Sequence, residues 1–268
     1  MKNAKLWKRI LREGVDGPAG EVINAIITAP IITDGLSPDH YDGPMSWMQY
    51  QRMGIPFERF WIDLQETPDG TLVGGMFDVH KTSDGHSCQV LVVNCGRGTK
   101  PCTAGVAYFQ LDTDGSLVLE RDGTFRCECV LSPSLSPSDK SLVEYGITVM
   151  LSNCFDLLLM LGCQNVSLES RFNDPELVRR ATRRHGVSAT GYRYHVLVVT
   201  PAGSKPGTPG QEIGNMPRHV CRGHFAEYGP KYGKGKLFGK YEGRFFIPPH
   251  VKGKAESGIV DKDYEVRP

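Results

Sequence analysis

Few tryptophans, no paired CxxC motifs and almost no net charge set the first limits on this 268-residue chain. Without two CxxC pairs, zinc ribbons and zinc fingers of familiar spacing are excluded. The segment GKGKLFGK at 233–240 lacks both the GxxxxGK[ST] spacing and a strand before it, so a P-loop nucleoside triphosphatase is excluded too. The longest apolar stretch, inside 146–162, is broken by Ser152, Asn153 and Asp156. It falls short of the roughly 20 apolar residues a membrane span needs, and no transmembrane helix or membrane partner is expected. The start, MKNAKLWKRILREGVDG, is basic and amphipathic but has no apolar signal core, which predicts a cytoplasmic protein.

What is present suffices for a core. Hydrophobic residues make up 40% of the chain and charged residues 23%, the balance of an ordinary globular protein. The eight cysteines sit largely in apolar runs and read as reduced, buried thiols. Cys127-x-Cys129 puts two sulfurs on one strand face, and Cys88, Cys95 and Cys102 stand seven apart. His219-x-Cys221-x-x-His224 offers three donors where structural zinc takes four, so no metal or other cofactor is expected.

The net charge of +1 conceals an asymmetry. Residues 1–175 carry 14 Lys/Arg against 22 Asp/Glu, residues 176–254 carry 15 against 4, and residues 255–268 carry 2 against 4. A basic half on an acidic body points to a polyanion partner, RNA before DNA, because neutralising phosphates releases counterions whatever the base sequence. The bland alternative is that the halves neutralise each other across an internal interface.

Local patterns predict an α+β fold: an antiparallel β-rich meander packed on one long buried helix, plus a basic α/β carboxy-terminal part. Residues 1–44 read as an amphipathic start and a loop. Residues 45–133 read as short strands separated by Pro68-Asp69-Gly70, Ser83-Asp84-Gly85, Asp112-Thr113-Asp114-Gly115 and Asp122-Gly123, which is hairpin chemistry. Residues 134–254 open on a helix of about 24 residues, with Ser136 as N-cap and Pro137 in its first turn. A second helix follows Asn173 or Asp174 and Pro175 and stops at Gly186. Its Arg179, Arg180, Arg183 and Arg184 fall within an arc of about 140°. Tyr192–Thr200 reads as a core strand that buries His195 structurally, and residues 255–268 read as a loose polar tail.

The chemistry gathers at RHVCRGHFAEYGPKYGKGKLFGKYEGRFFIPPHVKGK, residues 218–254. Strand alternation places Arg222 and His224 on one face and His219 and Cys221 on the other, unless Gly223 bulges. Histidine with Arg and Lys is the minimal kit for cutting RNA without a metal: a base for the 2′-hydroxyl, an acid for the leaving oxygen, and cations for the phosphorane. Arg222, His224 and His250 are the leading catalytic candidates, with His219 beside them. Arg222 is the phosphate clamp by its planar fork, Lys240 and Lys252 are alternative clamps, and the arginine helix adds nucleic-acid contacts.

The run HVCRGHFAEYG…LFGKYEGRFFIPPHVKG resembles a carboxy-terminal pattern of uncharacterised phage, prophage and actinobacterial proteins, HxxRGHF…LFG…PHxRG. DPELVRRATRRHG…YRYHVLVV is similar to the helix and strand that precede it. Together they cover about 80 residues, with Lys252 where that pattern has Arg. The resemblance implies a mobile-element setting and picks out His219, Arg222, Gly223, His224 and His250; it implies no activity. The leading expectation is therefore a phage-type nucleic-acid-binding protein acting in the host cytoplasm, with metal-independent endoribonuclease activity as its enzymatic form. Two other classes stay open, a non-enzymatic protein that binds and inhibits a host protein, and a virion component.

Overall fold

The computed structural model describes residues 6–15, 30–33, 51–64, 70–131, 136–172, 175–185, 193–200, 217–221, 224–232, 235–237, 239–247, 250–252 and 254–259. The fold is mixed α+β, and the chain divides into two compact units. The first comprises residues 1–37, 45–162 and 167–198, the second residues 38–44, 163–166 and 199–268.

Among the described residues the first unit is built on an eight-stranded sheet. Strands β2 (Arg59–Asp63), β3 (Leu72–Thr82), β4 (Gly85–Cys95), β5 (Cys102–Leu111) and β6 (Glu128–Leu131) follow one another antiparallel. The β3–β4 turn closes on Thr82↔Gly85, where Gly85 takes φ 141°, a conformation closed to most side chains. Beyond β2 the sheet turns parallel: β1 (Ile31–Thr33) lies between β2 and β8 (Arg193–Val199), and β7 (Val166–Phe172) forms the far edge. Neither β1 nor β7 is expected from local sequence.

Alternation gives this sheet two buried faces. On one, Leu72, Met76, Val93, Cys95 and Trp61 receive Leu6, Trp7, Ile10 and Leu11 from helix α1 (Leu6–Glu13). Gly14, at φ 83°, ends α1 by donating its N–H to the Ile10 carbonyl at 2.8 Å. On the other lies helix α2 (Pro137–Leu161), whose Met150, Leu151, Cys154, Phe155 and Leu158 are buried. Phe155 meets Phe109 and Phe125 edge-on with ring centroids 5.0 and 5.5 Å away. Helix α2 is apolar and long enough to cross a membrane by composition, over Lys140–Leu161, yet it belongs to the same compact unit as the meander. Its carboxy-terminal end meets the 51–54 segment, where the Gly54 N–H bonds the Leu158 carbonyl at 2.8 Å.

Gly74 explains how Trp61 is accommodated. A Cβ there would stand 2.4 Å from Trp61 Cζ2 and 2.9 Å from the Ile62 carbonyl, so the indole occupies the space a side chain would need. Gly74→Ala is expected to lower stability by about 1–3 kcal/mol through overpacking. Urea titration checks this, and a loss below about 0.5 kcal/mol would show that Trp61 yields freely.

In the second unit, β9 (Pro217–Cys221) pairs antiparallel with β12 (His250–Lys252), and β10 (His224–Tyr228) with β11 (Gly243–Ile247). Cys221 stands opposite His250 and His224 opposite Ile247, three residues on along one strand and three back along the other. The two pairings belong to separate sheets, β10–β11 and β12–β9–β13. Strand β13 (Lys254–Ile259) adds to β9 in parallel, which corrects the expectation of a loose tail for its first residues. Pairing through the backbone does not require apolar side chains. Phe245 and Phe246 are buried, and Asn165 bonds both the N–H and the carbonyl of Phe246 at 2.9 and 2.7 Å, acting as a short strand partner.

Candidate nucleic-acid interface

The strand register rearranges the histidines. His250 pairs with Cys221 and Lys252 with His219, so by alternation positions 219, 221, 250 and 252 share one face of the β9–β12 pair. His224 belongs to the separate β10–β11 pair, opposite Ile247. The β9–β12 register thus brings His219 to the same face as His250, while His224 belongs to a different strand pair. Two-residue spacing on one strand was the only signal for this, and it could not name the partner strand.

His224 is exposed on β10. Below it, Glu227 and Arg244 face each other across β10 and β11 and form a partly buried ion pair at 2.6 Å. Arg244 is thereby engaged within the second unit, where a sequence reading counts it among cations open to phosphate. Lys240 is exposed in the turn between these strands, and Lys236 pairs with Glu242 at 2.9 Å. Arg222 and Gly223 lie outside the described residues.

The arginine helix is α3 (Pro175–His185) in the first unit, lying beside α1. Arg179 and Arg180 are exposed, but each returns to Glu176 one turn earlier, Arg180 Nε at 2.9 Å. Arg183 and Arg184 are exposed further along the same helix. The bond from Arg180, and then the charge of Arg179, hold the Glu176 carboxyl below the usual glutamate range. A depressed carboxyl contributes stability above its unfolded titration range and loses it as pH falls through the folded value. These pairs therefore persist at neutral pH.

His195 behaves as a structural residue: Nε2 stands 3.1 Å from Ser170 Oγ, and its ring lies 5.3 Å from Phe57. Among the described residues no three His, Cys, Asp or Glu side chains gather as metal ligands. No protein-family model matches this chain, and no curated protein or solved structure matches it either.

Proposed function

We propose that this chain is a phage-type RNA-binding protein acting in the host cytoplasm, and that its β9–β12 face cleaves RNA without a metal. The carrying observation is the register that aligns His219, His250 and Lys252 on one strand face inside the most basic part of the chain. In the reaction one histidine takes the proton of a 2′-hydroxyl, whose oxygen attacks the adjacent phosphorus. The other histidine protonates the departing 5′-oxygen, leaving a 2′,3′-cyclic phosphate. Lys252 offsets the charge of the phosphorane. Arg222 and Lys240 remain phosphate clamps in this reading, and His224 a flanking contact.

The test is labelled RNA incubated with purified protein in chelator, with products resolved for the cyclic phosphate. Absence of binding even at low salt would end the nucleic-acid reading, and binding without cleavage would end the enzymatic part. Arg183→Ala with Arg184→Ala is expected to flatten the dependence of log affinity on log salt by about 1.4, since neutralising one single-strand phosphate accounts for roughly 0.7 of that slope. An unchanged slope removes α3 from the interface.

A second reading rests on the outer surface of α2 and β6. Leu142 and Tyr145 are 70% and 68% exposed, with Val149 and Val130 also exposed. Such residues suit a host-protein inhibitor or a virion subunit. A stoichiometric partner that survives nuclease treatment and no longer binds Leu142→Asp supports it.

A further inference from the structure

We propose that Cys127 and Cys129 form a thiol–disulfide exchange site on the edge strand of the large sheet, with small disulfides as substrate. The two sulfurs stand 3.7 Å apart and both residues are half-buried. Cys88, Cys95, Cys154 and Cys163 are buried, and the exposed Cys102 directs its thiol to Asn94 Oδ1 at 2.9 Å. The pair is therefore set apart from the buried thiols by access, and from Cys102 by the proximity of a second sulfur.

The backbone makes a disulfide here attainable but strained. A strand advances about 3.3 Å per residue, so positions two apart lie near the upper limit of the Cα separation a disulfide spans. Cys129 is held in the ladder opposite Ala107, whereas Cys127 stands one residue before β6 begins. Cys127 can move toward its partner without breaking a ladder pair. A strained, accessible bond of this kind is easily reduced, the property of labile rather than structural disulfides.

The two thiols are also chemically unequal. The Cys127 thiol bonds Cys129 and holds it below the ordinary thiol range, against burial and the Glu144 charge. The same bond, with burial, holds Cys127 far above that range. Cys129 is accordingly the attacking thiolate. It bonds one sulfur of R–S–S–R, the S–S bond breaks, and the departing R–S⁻ takes the proton of Cys127. The Cys127 thiolate then attacks Cys129 Sγ and expels the second R–S⁻. Two electrons pass from the protein dithiol to the small disulfide, which leaves as two thiol equivalents.

This site uses first-unit residues alone and stands or falls separately from RNA cleavage. The full chain is equilibrated in glutathione buffers of graded oxidation, quenched in acid, alkylated and mapped by mass spectrometry. Expected is a Cys127–Cys129 disulfide that appears and disappears across the series while Cys88, Cys95, Cys154 and Cys163 stay reduced. Cys127→Ser is expected to trap glutathione on Cys129, and Cys129→Ser to react at least about tenfold more slowly at Cys127. A wild-type dithiol that persists at every ratio, or equal rates in the two variants, overturns the proposal.

Discussion

Asp63→Ala is expected to destabilise the first unit by about 3–4 kcal/mol, among the largest effects a single side chain can have here. Asp63 is fully buried at the end of β2. Its Oδ1 accepts the Trp7 backbone N–H at 3.0 Å and the Trp61 indole N–H at 3.1 Å. The Trp7 amide belongs to the first turn of α1, where helix geometry provides no acceptor. An eight-residue helix is marginal alone, and a carboxylate at its amino-terminal end both caps it and complements its dipole. Alanine would leave two buried donors unpaired, at about 1–3 kcal/mol each. Asp63→Asn keeps an acceptor and is expected to cost less than half as much. Urea unfolding followed by tryptophan fluorescence checks both variants, since Trp7 and Trp61 report directly on the site. A loss below about 1 kcal/mol for Asp63→Ala would mean that α1 docks on apolar contacts alone.

Asp63 also marks where sequence reading stops. A carboxylate inside the apolar run Phe60-Trp61-Ile62-Asp63-Leu64 signals a burial that must be compensated, but only the Trp61 indole is nearby, and its other donor, the Trp7 amide, lies on an element 56 residues away. Helix α2 was legible because Ser136-Pro137 and Gly162 act within a few residues of its ends. The meander was legible because Asp84-Gly85 and similar pairs fix hairpins locally. Strand β1 was not, since three residues that pair in parallel with β2 and β8 leave no local turn to read. Strand β13 was hidden for a different reason: Lys254–Ile259 carries polar residues, and its place is set by backbone pairing with β9. The charge count located the basic half but could not show that Arg244 spends its charge on Glu227, or Arg179 and Arg180 theirs on Glu176.

Register has the same standing for the proposed chemistry, and it makes the histidine variants decisive. His219→Ala and His250→Ala are each expected to lower the cleavage rate constant by about 10²–10⁴-fold, because proton transfer to or from the reacting oxygens contributes on that scale. The double variant is expected to be little worse than the slower single, since one half of an acid–base pair does not work alone. Lys252→Ala should cost about 10²-fold through the missing charge on the phosphorane, with Lys252→Arg restoring most of it. His224→Ala, on the separate β10–β11 pair, is expected to retain cleavage. Affinity for a 2′-deoxy substrate analogue should be nearly unchanged in the His219 and His250 variants, which separates chemistry from binding. The wild-type rate should be bell-shaped in pH, since the reaction needs one imidazole neutral and the other protonated. Each single variant should lose one limb of that bell. If His224→Ala abolishes cleavage while His250→Ala does not, the reacting face is the one that carries His224, and the β9–β12 register positions the fold rather than the phosphate.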